Sequence, residues 1–165
     1  MAARIVSIVA ASSNSGKTTL IEKLIAVFKG RGFRVAVIKH ASQGFDLDSA
    51  GKDSWRFQQA GADAVLLAGQ GRVALLKKSD HEPAFHELEQ LAGDADIVIY
   101  EGFKKNAKNK IEVYRDGVSG DQPLSLSDDS FLALVSDRHV GVQVPWFDIN
   151  DAEGVAAFIL SRPAQ

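Results

Sequence analysis

The stretch "SGKTT" (residues 15–19) joins an apolar β-branched run to an amphipathic stripe, and no other feature limits the fold as strongly. Upstream, Ile5, Val6, Ile8 and Val9 make residues 4–10 a strand of the kind that is buried on both faces. Downstream the period changes: from Lys17 on, Leu20, Ile21, Leu24, Ile25 and Phe28 fall on one helical stripe, with Gly30 and Gly32 as stop signals. In a buried strand, turn and helix in this order, consecutive backbone N–H groups and a helix N-terminus converge on an anion.

The full stretch "AASSNSGKTT" (residues 10–19) nearly fits the phosphate-binding pattern G-x-x-x-x-G-K-[ST], except that Ala11 stands in place of its first glycine. That exchange matters only if the position requires a positive φ, which alanine tolerates poorly. Asn14 stands where many such loops carry another glycine, and asparagine is the non-glycine residue most at ease there. The loop residues Ser13, Asn14, Ser15, Gly16, Lys17, Thr18 and Thr19 are the candidate phosphate cradle. Lys17 is expected to reach the β- and γ-phosphates, and the Thr18 hydroxyl to ligate Mg²⁺. The bland alternative is a serine-rich turn that merely caps a helix.

The remaining pattern alternates. "RVAVIK" (34–39) reads as a strand, followed by a polar loop and a short helix around "DSWRFQQAGA", capped by Asp53 or Ser54. "AVLLAG" and "RVALLKK" read as strands separated by a glycine-containing turn, and Phe85, Leu88 and Leu91 or Ala92 mark a helix after Pro83. "DIVIYEG" (96–102), "KIEVY", "SFLALVSD" (130–137) and "VPWFDI" supply further strands. Asn150 is expected to open a C-terminal helix with Val155, Ala156, Ile159 and Leu160 on one face and Glu153 three residues after the cap. This order implies an α/β, P-loop NTPase-like fold: a mainly parallel sheet with helices on both faces, expected as a single domain over residues 1–165.

Acids that hold Mg²⁺ belong at the carboxyl ends of parallel strands. Glu101 ends "DIVIYE" and is the first candidate, as ligand or as orienter of a water on the metal; Asp48 and Asp46, in the loop after the second strand, come next. Each has the alternative of a solvated loop acid. Lys39 and His40 close the second strand in the same crevice, although a lone histidine is more often structural than catalytic. No N-K-x-D guanine signature is present, but Asp137 ends a late strand, where it would accept the two N–H groups of guanine or cap a turn instead. Lys104, Lys105, Lys108, Lys110 and Arg115 form a basic segment, either a solvated loop or a contact for an anionic ligand or acidic partner. Its single arginine weighs against a small-molecule kinase with an arginine-bearing lid.

Basic and acidic residues nearly cancel, 19 against 21, which argues against the chain-wide basic footprint of a nucleic-acid binder. The absence of cysteine removes disulfides and thiolate zinc sites and suits the cytoplasm. No apolar run approaches the roughly 18 residues that span a membrane. The apolar "IVSIVAA" after Arg4 is too short for a secretory signal, and cleavage after it would cut the loop.

Several blocks together resemble the MobB family of molybdopterin-guanine dinucleotide biosynthesis. They are "SGKTTLIEKLI" with "GFRVAVIKH", "FDLDSAGKDSWRFQQAGADAVLL", "DIVIYEGFKKNAKNKIEVYR" and the end "VSD…FDIND", spanning residue 4 to about 158. The resemblance implies a P-loop GTP-binding adapter with GTP and Mg²⁺ as cofactors, typically a homodimer. Its implied partners are the molybdopterin guanylyltransferase that joins GMP to molybdopterin and other molybdenum cofactor maturation proteins. It implies at most slow GTP hydrolysis, with Gly16, Lys17, Thr18 and Thr19 in the phosphate and metal site. Lys39, His40, Asp48, Lys52, Asp53 and Glu101 fall on the family's polar crevice, while Ala11 and Asn14 depart from its usual glycines. Two other readings compete with the adapter. One is a small P-loop kinase or NTPase in which Glu101 or Asp48 serves as base or water-orienter. The other is a degenerate loop that keeps only a scaffolding role.

Overall fold

The computed structural model describes residues 3–42, 44–45, 48–104 and 107–164. Two compact units divide the chain: residues 1–40 with 88–165, and residues 41–87.

The larger unit is built on a six-stranded sheet. Its strands are β1 (Arg4–Val9), β2 (Val35–Lys39), β5 (Ile97–Glu101), β6 (Lys110–Tyr114), β7 (Phe131–Ser136) and β8 (Trp146–Asp148), in the order β2-β5-β1-β6-β7-β8. Every pairing is parallel, and Ile8 lies opposite both Glu101 and Ile111. The near-continuous apolar strands match this layout, because a parallel sheet is covered on both faces.

On one face, Val6, Ile8, Ile97, Ile99, Ile111, Val113, Ala133 and Val135 pack with Leu20, Leu24 and Phe28 of α1 (Lys17–Gly30) and with Val155, Ala156 and Ile159 of α4 (Ala152–Ser161). On the other, the Tyr100 hydroxyl donates to Glu89 of α3 (Phe85–Leu91), while Glu112 serves a 3₁₀ turn over Leu124–Leu126. Glu112 is fully buried, and its two carboxylate oxygens accept the backbone N–H groups of Leu124 and Ser125 at 2.7 and 2.8 Å. That is how a carboxylate is accommodated inside a sheet face.

Two helix starts differ from the sequence expectation. Asp151, not Asn150, caps α4 by accepting the Gly154 N–H at 2.8 Å; Asn150 instead accepts from Lys23, and Glu153 pairs with Arg31 rather than closing a capping box. At α2 (Asp53–Gln59) the N-cap position belongs to Lys52, without a side-chain bond; Asp53 and Ser54 lie inside the first turn. The smaller unit holds α2 and a two-stranded antiparallel hairpin, β3 (Ala64–Gly69) and β4 (Arg72–Lys77).

Candidate functional site

The loop between β1 and α1 has the shape that the sequence suggests, and its two unusual positions separate cleanly. Asn14 sits at φ 62° and Gly16 at φ 96°, both left-handed, whereas Ala11 is not among the positive-φ residues. Alanine at position 11 therefore costs the loop no backbone strain. Ser15 is fully buried; its hydroxyl donates to the Ser12 carbonyl at 3.0 Å and lies 3.2 Å from the Ser12 hydroxyl. The Ser12 hydroxyl reaches the Val118 carbonyl at 3.0 Å, tying the loop to the segment after β6.

At Gly16 no side chain caps α1, and no acid occupies its first turn. The first N–H groups of the helix thus keep their donor capacity and the positive end of the helix dipole stays uncompensated. The Lys17 ammonium folds back and donates to the Ser12 carbonyl at 2.9 Å. Burial pulls its pKa below the ordinary lysine value; Glu101 opposes that shift, and Lys104 and Lys39 add repulsion. A cation of this kind gains most from a nearby anion.

Glu101 stands at the carboxyl end of β5, next to β1, and so faces the start of α1. Its Oε1 accepts the Thr18 hydroxyl at 3.2 Å, and its Oε2 lies 3.5 Å from the Lys39 ammonium. The Glu101 side chain is only 12% exposed, against 65% for Lys39, so the carboxylate is sheltered while its partner reaches solvent. A hydroxyl and a carboxylate at this spacing are hard oxygen donors of the type that suits Mg²⁺ beside phosphate, with phosphate oxygens and water completing the shell. Among the described residues no three His, Asp or Glu side chains cluster as a self-sufficient metal cage. His40 donates its backbone N–H to the Glu101 carbonyl, and its ring packs on Phe103 with centroids 4.8 Å apart.

Lys17, Thr18, Lys39, His40 and Glu101 are thus brought together in one unit. Asp48 belongs to the smaller unit, where it accepts the Ser49 N–H at 2.9 Å and the Gln58 amide at 3.3 Å. Lys52 and Asp53 begin α2 in that unit, with Asp53 3.7 Å from Arg56. Asp46 and Lys105 lie outside the described residues. Asp137 follows β7, accepts the Asp116 N–H at 3.1 Å and lies 3.9 Å from Arg115; Arg138 in turn pairs with Asp116 at 3.0 Å.

The basic segment divides by environment. Lys110 is a buried member of β6, bonded to Asp128 at 2.7 Å and lying over the Phe131 ring, so it is neither solvated nor ligand-facing. Lys108 and Arg115 are exposed. Lys104 reaches back to the loop and donates to the Ala11 carbonyl at 2.5 Å. Ser12 and Phe103 were not singled out from sequence. A serine at a variable loop position carries no motif signal, and Phe103 owes its role to a left-handed backbone, φ 56°, which is rare for an aromatic residue.

An all-parallel sheet whose first strand runs through a Gly-Lys-Thr loop into an uncapped helix defines a P-loop NTPase-like α/β protein. The family model described as "Molybdopterin guanine dinucleotide synthesis protein B" (MobB) matches residues 5–137. The chain is 39% identical to the molybdopterin-guanine dinucleotide biosynthesis adapter protein of Escherichia coli, over 92% of this chain and 89% of that one. It is 36% identical to the Haemophilus influenzae protein of the same name, over 89% and 83%. A crystal structure of molybdopterin-guanine biosynthesis protein B superimposes with TM-score 0.73 at 31% identity, covering 95% of this chain and 98% of that one. Bacillus subtilis MobB gives TM-score 0.72 at 27% identity, covering 96% of each chain. The chain belongs to the MobB family.

Proposed function

We infer that this protein is an adapter in molybdopterin-guanine dinucleotide synthesis, binding GTP with Mg²⁺ and assisting the guanylyltransferase that attaches GMP to molybdopterin. The observation that carries the reading is the junction of Lys17, Thr18 and Glu101 at the uncapped start of α1. The names of the relatives supply the pathway.

In this reading the backbone N–H groups of Ser13, Asn14, Ser15, Gly16, Lys17, Thr18 and Thr19 hold the phosphates, and Lys17 leaves the Ser12 carbonyl for a phosphate oxygen. Thr18 and Glu101 would hold Mg²⁺, which would neutralise phosphate charge there. Lys39 and His40 line the phosphate side, and Asp137 meets the base. Glu101 orients water for at most slow GTP hydrolysis. The sheltered Glu101 carboxylate, salt-linked to Lys39, suits electrostatic holding rather than rapid proton transfer.

The protein acts in the cytoplasm as a homodimer; no helix of the described residues is long and apolar enough to cross a membrane. Support for self-association comes from the hairpin, where Leu66, Val73 and Leu75 are exposed.

The test is calorimetric titration with non-hydrolysable GTP and ATP analogues, with and without Mg²⁺, paired with guanylyl transfer by the partner enzyme in the presence and absence of this protein. Mg²⁺-dependent GTP binding lost in Lys17→Ala, together with faster dinucleotide formation, is expected. A stable ATP preference would replace the adapter with a kinase, and binding of neither would leave a scaffold.

A further inference from the structure

The site just described leaves Lys104 unused, although among the described residues of the basic segment it is the one whose ammonium touches the loop. Its placement follows from the sheet. Because β5 runs parallel beside β1 with Ile8 opposite Glu101, the ends of both strands meet, and Gly102 extends the contact by donating its N–H to the Ile8 carbonyl at 3.1 Å. The chain then turns through two consecutive left-handed residues, Gly102 at φ 95° and Phe103 at φ 56°. A Cβ at position 102 would meet the His40 Cβ at 3.4 Å, an ordinary contact, so it is the left-handed backbone that calls for glycine there.

Phe103 gains nothing from a left-handed backbone by itself; for a bulky residue that conformation is unfavourable. Its ring is held between His40, at 4.8 Å, and Tyr100, edge-on at 5.2 Å. This packing fixes the turn, and the turn delivers the next side chain, Lys104, to a carbonyl 93 residues away in sequence.

The target carbonyl is informative. Lys104 donates to Ala11 and Lys17 to Ser12, so two ammonium groups occupy consecutive carbonyls on the same limb of the loop. In this corner Lys104 and Lys39 each repel the Lys17 ammonium, and Glu101 is its counter-charge. Two cations held at neutral carbonyls, beside a third that is paired with the one carboxylate at 3.5 Å, are poised for a polyanion.

We propose that Lys104 is a second phosphate-contacting cation of this loop, directed at the terminal phosphoryl group of a nucleoside triphosphate. It rests on the nucleotide reading above and deepens it. When the triphosphate enters, Lys104 exchanges the Ala11 carbonyl for a γ-phosphate oxygen, a charge-assisted bond in place of a neutral one. Lys17 spans the β- and γ-phosphates, and Lys104, one carbonyl further along the limb, meets the γ-phosphate alone. The site thereby distinguishes the triphosphate from the diphosphate without an arginine.

Calorimetric titration of the full-length protein with a non-hydrolysable GTP analogue and with GDP, both with Mg²⁺, tests this on wild type, Lys104→Ala, Lys104→Arg and Lys17→Ala. Lys104→Ala is expected to weaken the triphosphate about tenfold while GDP changes by less than about twofold, and Lys104→Arg to restore most of the loss. Equal losses for both nucleotides, no loss, or tighter triphosphate binding would each overturn the proposal; the last would make Lys104 a plug that competes with the ligand. Wild type that binds both nucleotides through Lys17 and is indifferent to Lys104→Ala sinks the role of Lys104 alone. Wild type that binds neither removes the nucleotide reading and the proposal together.

Discussion

At the scale of single residues, the loop separates composition from conformation. A glycine missing from a glycine-rich pattern looks damaging, yet Ala11 occupies no left-handed backbone, while Asn14 and Gly16 do. Ala11→Gly is therefore expected to leave nucleotide affinity within about twofold and to lower stability by roughly 0.5 kcal/mol through unfolded-state entropy. A tenfold gain in affinity would show that alanine had been limiting the loop. At Gly16 the nearest atoms to an added Cβ are Ile149 Cδ1 at 3.6 Å and Val113 Cγ1 at 3.9 Å, so space is adequate and backbone strain is the cost. Gly16→Ala should lose about 1–2 kcal/mol by thermal or urea unfolding. Asn14 was legible, because asparagine tolerates that backbone; the innocence of Ala11 was not, since residue type alone does not give φ at position 11. Asp137 tests the base: Asp137→Asn should weaken GTP about tenfold and leave ATP unchanged, as expected if its carboxylate accepts from guanine. Equal effects on both would make its bonds to Asp116 and Arg115 its whole role.

At the scale of elements, the central strands β1, β5 and β7 were legible as apolar runs, because burial on both faces writes itself into continuous apolar sequence, whereas β8, "WFD", carries no β-branched residue. Helix starts were less legible: Asn150, Asp151 and Glu153 all satisfy a cap pattern locally, and only the backbone decides which side-chain oxygen meets the free N–H. Asp151→Ala should cost about 1 kcal/mol in unfolding experiments, and Asn150→Ala only a few tenths. Glu112 was read simply as part of a strand, since nothing local to "KIEVY" announces the 3₁₀ turn it supports. Glu112→Ala strands the buried Ser125 N–H and the half-buried Leu124 N–H and is expected to destabilise by about 2–4 kcal/mol. Two further acids set the acid limb. The Arg34 guanidinium and amide hold Asp96 down at about 2, and Lys110 with Ser130 holds Asp128 at about 2. Both folded values lie below the unfolded one of about 3.9, so each adds stability present above about pH 4 and lost as pH falls through about 2. Between those limits the wild-type urea midpoint should fall more steeply than that of Asp96→Asn/Asp128→Asn, the two converging near pH 2. Parallel curves would mean that these pairs exist without contributing.

At the scale of the whole molecule, the smaller unit poses the remaining physical problem. Its hairpin pairs Leu66 with Leu75 and Ala68 with Val73, which places all four on one face, and Leu66, Val73 and Leu75 are 66%, 73% and 40% exposed. Phe45 and Phe57 of the same unit are also largely exposed. A two-stranded ribbon is marginal in water unless an apolar face is covered, and such a face on a free monomer is an association site. The sequence showed both strands but not this surface, because "AVLLAG" and "RVALLKK" look the same whether a strand is central or solvent-facing. A second copy of the chain is the occupant that the homodimer reading requires. Light scattering coupled to size exclusion should then report about twice the chain mass for the wild type. Leu66→Lys/Val73→Lys, which changes exposed positions and leaves the loop and Glu101 untouched, should report the monomer. If nucleotide titrations of that variant match wild type, the phosphate site is complete within one chain and association serves the partner enzyme instead. If the variant remains dimeric with an unchanged dissociation constant, the hairpin face is not the contact, and its apolar side chains await another protein.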